Sequence, residues 1–455
     1  MGKMKNKDYL TTSKPLPALT IFVIPLILGN LFQQFYNLVD SAIVGRYIGE
    51  QALAAVGACL AFTNVFIFIA NGAGIGASVI VGRYFGAKEY SGMKVAIFTS
   101  FISFTILSII LGIVGLFCSK SVLLLLQTPT DVIDMATTYL NIYFMGLPFL
   151  FLYNTTASMF NAMGKSKFPL LFLILSSILN IFLDILFVKT FRFGIAGAAW
   201  ATLIAQGISF ILSFTVFIFE LKKLSIGQTK VFEKKELFRI TKIALPSILQ
   251  QSTISIGLML VQSVVNSFGS QALAGYSVGL RIEAIGSAAM IAPGTALSTF
   301  TAQNYGAQKI KRIREGFISG NIIVLIAGII FFTFIRLFKT NIISFFLSDS
   351  GSEIAWNTAI AYLNYMSIVL SILGIKLNSD GVLRGVGKMK VFTIASLVNI
   401  FLRVTFSKCF APIIGISAVW ISNPVGWIVS FTMCYIAYKL WMKSHLSTTN
   451  TTENI

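Results

Sequence analysis

Charge is scarce in this 455-residue chain. Only 11% of its residues are Asp, Glu, Lys or Arg, where about 25% is usual in a soluble protein. Acids are scarcer than bases, 16 against 35. The one histidine, His445, stands in a polar C-terminal stretch, which excludes His-dependent catalysis and His-rich metal sites. Four cysteines (Cys59, Cys118, Cys409 and Cys434) fall singly in or near apolar stretches. Without paired spacing they read as small hydrophobes, not as disulfides or metal ligands. No nucleophile motif is present either, so neither an enzyme nor a bound cofactor is expected. No stretch shows the period-2 alternation of a membrane barrel. The basic start runs straight into a full-length apolar segment, so no cleavable signal peptide is expected. Asn6 stands where myristoylation wants Ser or Thr.

Hydrocarbon fills the chain instead. Hydrophobic residues make up 56% of it, and mean hydropathy is +0.83. Apolar stretches of about 20 residues, the length that crosses a bilayer, follow one another almost throughout. They predict twelve spans, starting near 17, 53, 94, 133, 168 and 195 and again near 242, 277, 316, 358, 390 and 415. The second set is the first written again, nearly half the chain further on. Gln51-Ala52-Leu53-Ala54 returns as Gln271-Ala272-Leu273-Ala274, Gly86-Ala87 as Gly306-Ala307, and Asn180-Ile181-Phe182-Leu183 as Asn399-Ile400-Phe401-Leu402. Gly74 returns as Gly294, Trp200 as Trp420, and Pro25 as Pro246. A period this long is half a protein rather than a solenoid unit. In so apolar a chain it points to a transporter of two related lobes with the substrate path between them. Six helices per half is an even number, so both halves enter the membrane alike and the repeat is parallel.

The expected organisation is a cytoplasmic N-terminal tail over 1–15, a six-helix lobe over 16–220, a cytoplasmic linker over 221–241, a second six-helix lobe over 242–441 and a disordered tail over 442–455. The linker is the most polar internal stretch, with Lys222, Lys223, Lys230, Glu233, Lys234, Lys235, Glu236 and Arg239. Thr128 to Asp131 and Ser348 to Gly351 fit outer loops. Gly72-Ala73-Gly74-Ile75-Gly76 looks like a nucleotide loop, but it sits mid-span with no strand before it. Its small residues predict close helix approach or a bend.

The net charge of +19 would suggest nucleic acid in a soluble protein, but its distribution points elsewhere. With the N-terminus placed inside, cytoplasmic segments carry 25 Lys or Arg and outer loops 8: Arg46, Lys120, Lys189, Arg192, Arg336, Lys339, Arg403 and Lys408. Arg281 and Lys376 fall within spans. This is the positive-inside bias of a multi-pass protein of the cell membrane with both termini in the cytoplasm. The lipid bilayer is then the partner, and nucleic acid is not. Arg312-Ile313-Arg314 reads as a solvated cytoplasmic face within reach of lipid headgroups. The Ile-, Phe-, Lys- and Asn-rich composition fits a bacterial source.

An ionisable side chain in hydrocarbon costs at least about 2.5 kcal/mol near the centre, so each one needs a reason. The first span carries Gln33, Tyr36, Asn37 and Asp40 after Pro25. Their i,i+3 and i,i+4 spacings put them on one polar stripe that must face protein or a watery cavity. A plainer reading leaves Asp40 solvated near the outer end. The fifth span adds Asn180 and Asp184, again i,i+4, and the sixth adds Thr202; Tyr139 and Asn154 in the fourth could join. If Asp40 and Asp184 converge, repulsion and desolvation prevent both from staying ionised comfortably. That suits a group that loads a proton on one side and releases it on the other. The same oxygens (Asp40, Asn180, Asp184, Thr202) could equally ligate Na⁺. In the second half Asn399 repeats Asn180, but Arg403 replaces Asp184 and Val261 replaces Asp40, so ion coupling is expected in the first lobe alone. Glu283 is a candidate for substrate or ion contact, while Lys376 and Asp380, i,i+4, are placed to neutralise each other. Pro25 and Pro246 each remove a backbone donor from the first helix of a lobe, as a static kink or as a hinge.

The run Asn37-Leu38-Val39-Asp40-Ser41-Ala42-Ile43-Val44-Gly45, followed by Gln51 to Gly57, resembles the first-helix signature of multidrug and toxic compound extrusion (MATE) transporters. Arg83 to Ala87, Gln303 to Ala307 and Leu383 to Lys388 match further patterns of that family, and the likeness covers about residues 16 to 441. The resemblance implies an all-α membrane protein of twelve helices in two six-helix lobes around a V-shaped cleft. It also implies antiport of cationic amphiphilic drugs against H⁺ or Na⁺. Within the family the chain looks most like the DinF-type branch, where positions matching Asp40, Asn180, Asp184 and Thr202 carry ion coupling and Tyr139 and Asn154 lie near. The NorM-type branch has a Glu in the seventh helix where this chain has Ile254, which argues against a C-lobe ion site of that kind.

The leading expectation is a monomeric secondary active exporter, with Gln33, Tyr36, Asn37 and Glu283 lining the substrate cleft. A lipid-linked oligosaccharide flippase of the same superfamily is the alternative. It would want a strongly cationic cleft, for which two in-span cations are few.

Overall fold

The computed structural model describes residues 8–224, 227–347 and 352–452; the side chains of residues 61, 254, 255 and 447–452 lie outside the description. The N-terminal tail before Asp8, the expected outer loop at Ser348 to Gly351 and the side chain of Ile254 therefore fall outside it. A short helix, α1 (Tyr9–Thr12), precedes α2 (Pro15–Tyr47), α3 (Glu50–Ala87), α4 (Tyr90–Leu125), α5 (Ile133–Ala162) and α6 (Lys167–Asp184). A π-helical turn, Ile185–Thr190, leads to α7 (Gly194–Lys222). The second half holds α8 (Lys234–Asn266), α9 (Ser270–Gly306), α10 (Ile310–Phe346), α11 (Glu353–Gly385), α12 (Met389–Ile414) and α13 (Ser417–Thr452).

Each expected span start lies in or beside one of the long helices. Among the described residues, eleven helices are long and apolar enough to cross a membrane. The remaining long helix, α9, is long enough at 37 residues but more polar, carrying Arg281, Glu283, Gln303 and Asn304. Helices are the natural form here because hydrocarbon offers no partner to a backbone N–H or C=O, and a helix satisfies both internally.

The repeat extends to the turns. Gly49 and Gly269, matching positions of the two halves, open α3 and α9 with φ of 117° and 87°, a backbone only glycine adopts without strain. Lys88 and Gln308, again a matching pair, close the same helices in the left-handed region at φ 60° and 58°. At these ends the Glu89 and Lys309 N–H groups donate back to Tyr84 and Asn304 carbonyls.

The chain folds into two compact units whose borders differ from the expected break at the polar loop over 221–241. One unit is Leu31–Ile248; the other combines Met1–Asn30 with Leu249–Ile455. The borders run inside α2 and α8 because the first part of each helix packs away from its own repeat. In the Leu31–Ile248 unit, Gly72 and Gly76 of α3 let α8 approach: a Cβ on either would stand 2.5–2.7 Å from Ile248 or Ala244. That is the close approach expected of the glycine run. In the other unit, Leu19, Phe22 and Val23 of α2 pack with Ala292, Ala296 and Phe300 of α9, the repeat counterparts of this α3 face. Asn30 Nδ2 donates to the Ala288 carbonyl at 3.1 Å on the same face. The α1 carbonyls are held from α9 and α10 by Asn304, Lys309 and Arg312.

Two further expectations need correction. The described part of the expected tail, 442–452, is helical, and at its start Trp441 and Met442 are buried and Trp441 packs on His445 at 4.5 Å. Arg403 is no loop residue. It lies within α12, nine-tenths buried.

Candidate functional site

Four helices of the Leu31–Ile248 unit bring polar side chains to one place. The i,i+4 spacing on α2 points Tyr36 and Asp40 the same way, and that on α6 does so for Asn180 and Asp184. Asp184 is the last residue of α6, at its junction with the π-helical turn. A wide turn of this kind re-phases the side chains after it and is frequent at functional sites. From α7 comes Thr202, and from α5 come Tyr139 and Tyr143.

Asp184 is fully buried and Asn180 nearly so. The Asp40 and Asp184 carboxyl groups lie at hydrogen-bonding distance. Ionised carboxylates are acceptors only, so such a pair closes only around a shared proton or a cation. Asp184 Oδ1 accepts from no N–H or O–H of the described residues, which leaves it open to that guest. The Asn180 amide faces Thr202 Oγ1 at 3.3 Å. Turned over, it donates to Asp184 Oδ2 at 2.9 Å and accepts from the Thr202 N–H at 3.2 Å, which serves every group better. Tyr36 stands in the field of both acids. The Tyr139 phenol is likewise in the field of Asp40. The oxygens gathered here are hard donors of the kind that take a proton or an alkali cation. No group of three or more His, Cys, Asp and Glu occurs among the described residues, so a transition-metal centre has no basis there.

Five of the six residues expected around the ion are thus brought together. Asn154 is not: it donates to the Leu150 carbonyl of its own helix at 2.8 Å, about four turns along α5 from Tyr139. Sequence spacing shows a helix face but not the depth along it. Gln33 and Asn37 hydrogen-bond to each other at 3.1 Å, with Asn37 exposed on α2. Glu283 belongs to the other unit, where Tyr362 donates its hydroxyl to it. Lys376 and Asp380 form a buried ion pair at 2.5 Å, and Gln250 donates to the same Asp380 oxygen at 3.0 Å. Two residues not singled out in the sequence, Tyr143 and Gln206, line a small cavity with Tyr139 and Thr202. It has room for about one water. Gln206 is i,i+4 from Thr202, and that spacing was the available signal.

The family model described as MatE matches the chain twice, over residues 25–186 and 246–407. The chain is similar to the probable multidrug resistance protein YpnP of Bacillus subtilis (strain 168), at 32% identity over 96% of this chain and 97% of that one. It is also similar to the multidrug export protein MepA of Staphylococcus haemolyticus (strain JCSC1435), at 21% identity over 96% and 97%. A crystal structure of MATE in complex with MaL6 superposes with a TM-score of 0.91 at 22% identity, over 98% of this chain and 100% of that one. An outward-facing multidrug resistance MATE family transporter of the MOP superfamily does so at 0.88 and 23%, over 98% and 100%. At these identities the structures speak for a shared fold.

Proposed function

Because this chain belongs to the MatE family, we propose that it is a multidrug exporter driven by secondary antiport, expelling cationic amphiphilic compounds as H⁺ or Na⁺ enters by alternating access. It works as a monomer in the cell membrane, and the Lys and Arg bias supports termini on the cytoplasmic side. Relatives named for multidrug resistance and export support the substrate class.

The observation that carries the ion coupling is the contact of Asp40 with Asp184 inside a unit otherwise built of apolar helices. Arriving from outside, one proton would bridge the two acids. A sodium ion would instead take oxygens of Asp40, Asp184, Asn180 and Thr202. Either guest removes repulsion from the pair and draws the outer part of α2 toward α6. Emptied on the inner side, the pair repels again and α2 relaxes. A potential of 100 mV supplies about 2.3 kcal/mol per charge carried in, so one or two ions drive useful accumulation. Pro25 leaves the Ile21 carbonyl without its helical donor, and Pro246 leaves that of Lys242. Each helix passes from one unit to the other within about a turn and a half of its proline, which supports hinges at both.

The test is efflux of ethidium or norfloxacin from proteoliposomes under imposed H⁺ or Na⁺ gradients. The gradient that drives efflux names the ion. Asp40→Asn in inverted vesicles should abolish gradient-driven accumulation; unchanged accumulation would remove Asp40 from the mechanism. The flippase alternative gains no support, since Lys376 is paired with Asp380 and Arg403 stands in the field of Glu283.

A further inference from the structure

The repeat lets one molecule be compared with itself. Tyr139, Asn180, Asp184 and Thr202 have as counterparts Tyr362, Asn399, Arg403 and Ser422, each at nearly the same separation along the chain. Two of the four are identical, one pair exchanges hydroxyls, and one exchanges a carboxylate for a guanidinium. A second change accompanies it. Glu283 occupies the place that Thr63 holds in the first half, whereas Asp40 is answered by Val261. In the second half the acid has moved to α9, and a cation occupies the place of the lost one.

These counterparts are packed together. Tyr362 on α11 donates to Glu283 and lies between the rings of Tyr276 at 5.3 Å and Trp420 at 5.5 Å, edge-on to both. Arg403 on α12 is 9% exposed and stands in the field of Glu283, Tyr276 and Tyr362. Its Nε has no hydrogen-bond partner among the described residues, and neither does Asn399 Oδ1. Gly426 makes room for both: a Cβ there would come within 2.3 Å of Asn399 Oδ1 and 2.8 Å of Arg403 Cγ. Burial works against the guanidinium, and the field of Glu283, Tyr276 and Tyr362 is what compensates it. Breaking such a buried balance leaves an uncompensated charge.

We infer that Arg403 is a tethered counter-cation, standing where the other half takes its transported ion, so that Glu283 is permanently balanced and one coupling centre serves the whole protein. This rests on the reading of Asp40 and Asp184 as that centre. Arg403 is then the residue that sets how many ions accompany each substrate molecule.

The full chain in proteoliposomes tests it, with ion-to-substrate ratios read from the opposing gradient that just halts ethidium flux. Arg403→Met should raise the ratio, because Glu283 now needs an ion of its own. Arg403→Lys should keep the wild-type ratio. The double change Glu283→Gln with Arg403→Met removes both charges and should also keep it; this variant decides the matter if Arg403→Met alone does not fold. An unchanged ratio in folded Arg403→Met, or a changed ratio in the double variant, overturns the inference. Asp184→Asn with undiminished ion dependence is a separate result, and it would overturn the coupling site itself.

Discussion

Asp184 and Asp40 differ in burial and in contacts. Asp184 is fully buried and is served by Asn180 on its own helix, whereas Asp40 is partly exposed. Asp184→Asn should lower gradient-driven efflux at least about tenfold, the equivalent of 1.4 kcal/mol, while substrate still binds, as fluorescence titration of the purified protein would show. Thr202→Val removes the hydroxyl that meets the Asn180 amide but no charge. Losses of about two- to tenfold are expected, matching one neutral hydrogen bond of about 0.5–1.5 kcal/mol. Most of this cluster was legible in the sequence because polar residues at i,i+4 in an apolar helix must turn away from lipid, toward protein or water. Asn154 misled because nothing in a helix pattern tells depth. Arg403 misled for another reason: a cation near the end of an apolar run resembles a loop residue until a carboxylate from a distant helix is seen beside it.

At the scale of the helix, the glycines of α3 separate by what a side chain would meet. Gly76→Leu would drive a branched chain into the Ala244 backbone, whose Cα lies 2.7 Å from a Cβ at that position. Overpacking of this kind costs about 1–3 kcal/mol, and the purified protein should melt at lower temperature in detergent. Gly57→Ala, where a Cβ meets nothing within 4 Å, should be neutral or slightly stabilising by the same measurement. Pro25→Ala restores the helical hydrogen bond to Ile21. If the hinge is real, efflux should slow several-fold with no loss of thermal stability. The helices themselves were legible from length and hydropathy, and the close approach at the glycine run from its spacing. The unit borders inside α2 and α8 were not, since a sequence repeat marks where the chain was duplicated and not which helix each half-helix packs against.

For the whole molecule the unsettled quantity is how many helices cross, and the termini decide it. With α9 across the bilayer the crossings number twelve and both ends lie on one side; with α9 outside it they number eleven and the ends part. Its 37 residues exceed the span that hydrocarbon requires, and Glu283, half-buried, accepts a hydrogen bond from Tyr362 inside the unit. The Lys and Arg bias independently predicts both ends inside. Twelve crossings are therefore the expected count. Single cysteines at Thr12, Ser444 and the outer loop residue Thr130, in a chain with Cys118 and Cys409 replaced, make this measurable; Cys59 and Cys434 are buried and can stay. On intact cells an impermeant maleimide should label Thr130→Cys alone. After permeabilisation Thr12→Cys and Ser444→Cys should react equally. Labelling of only one terminus from outside would mean that α9 does not cross.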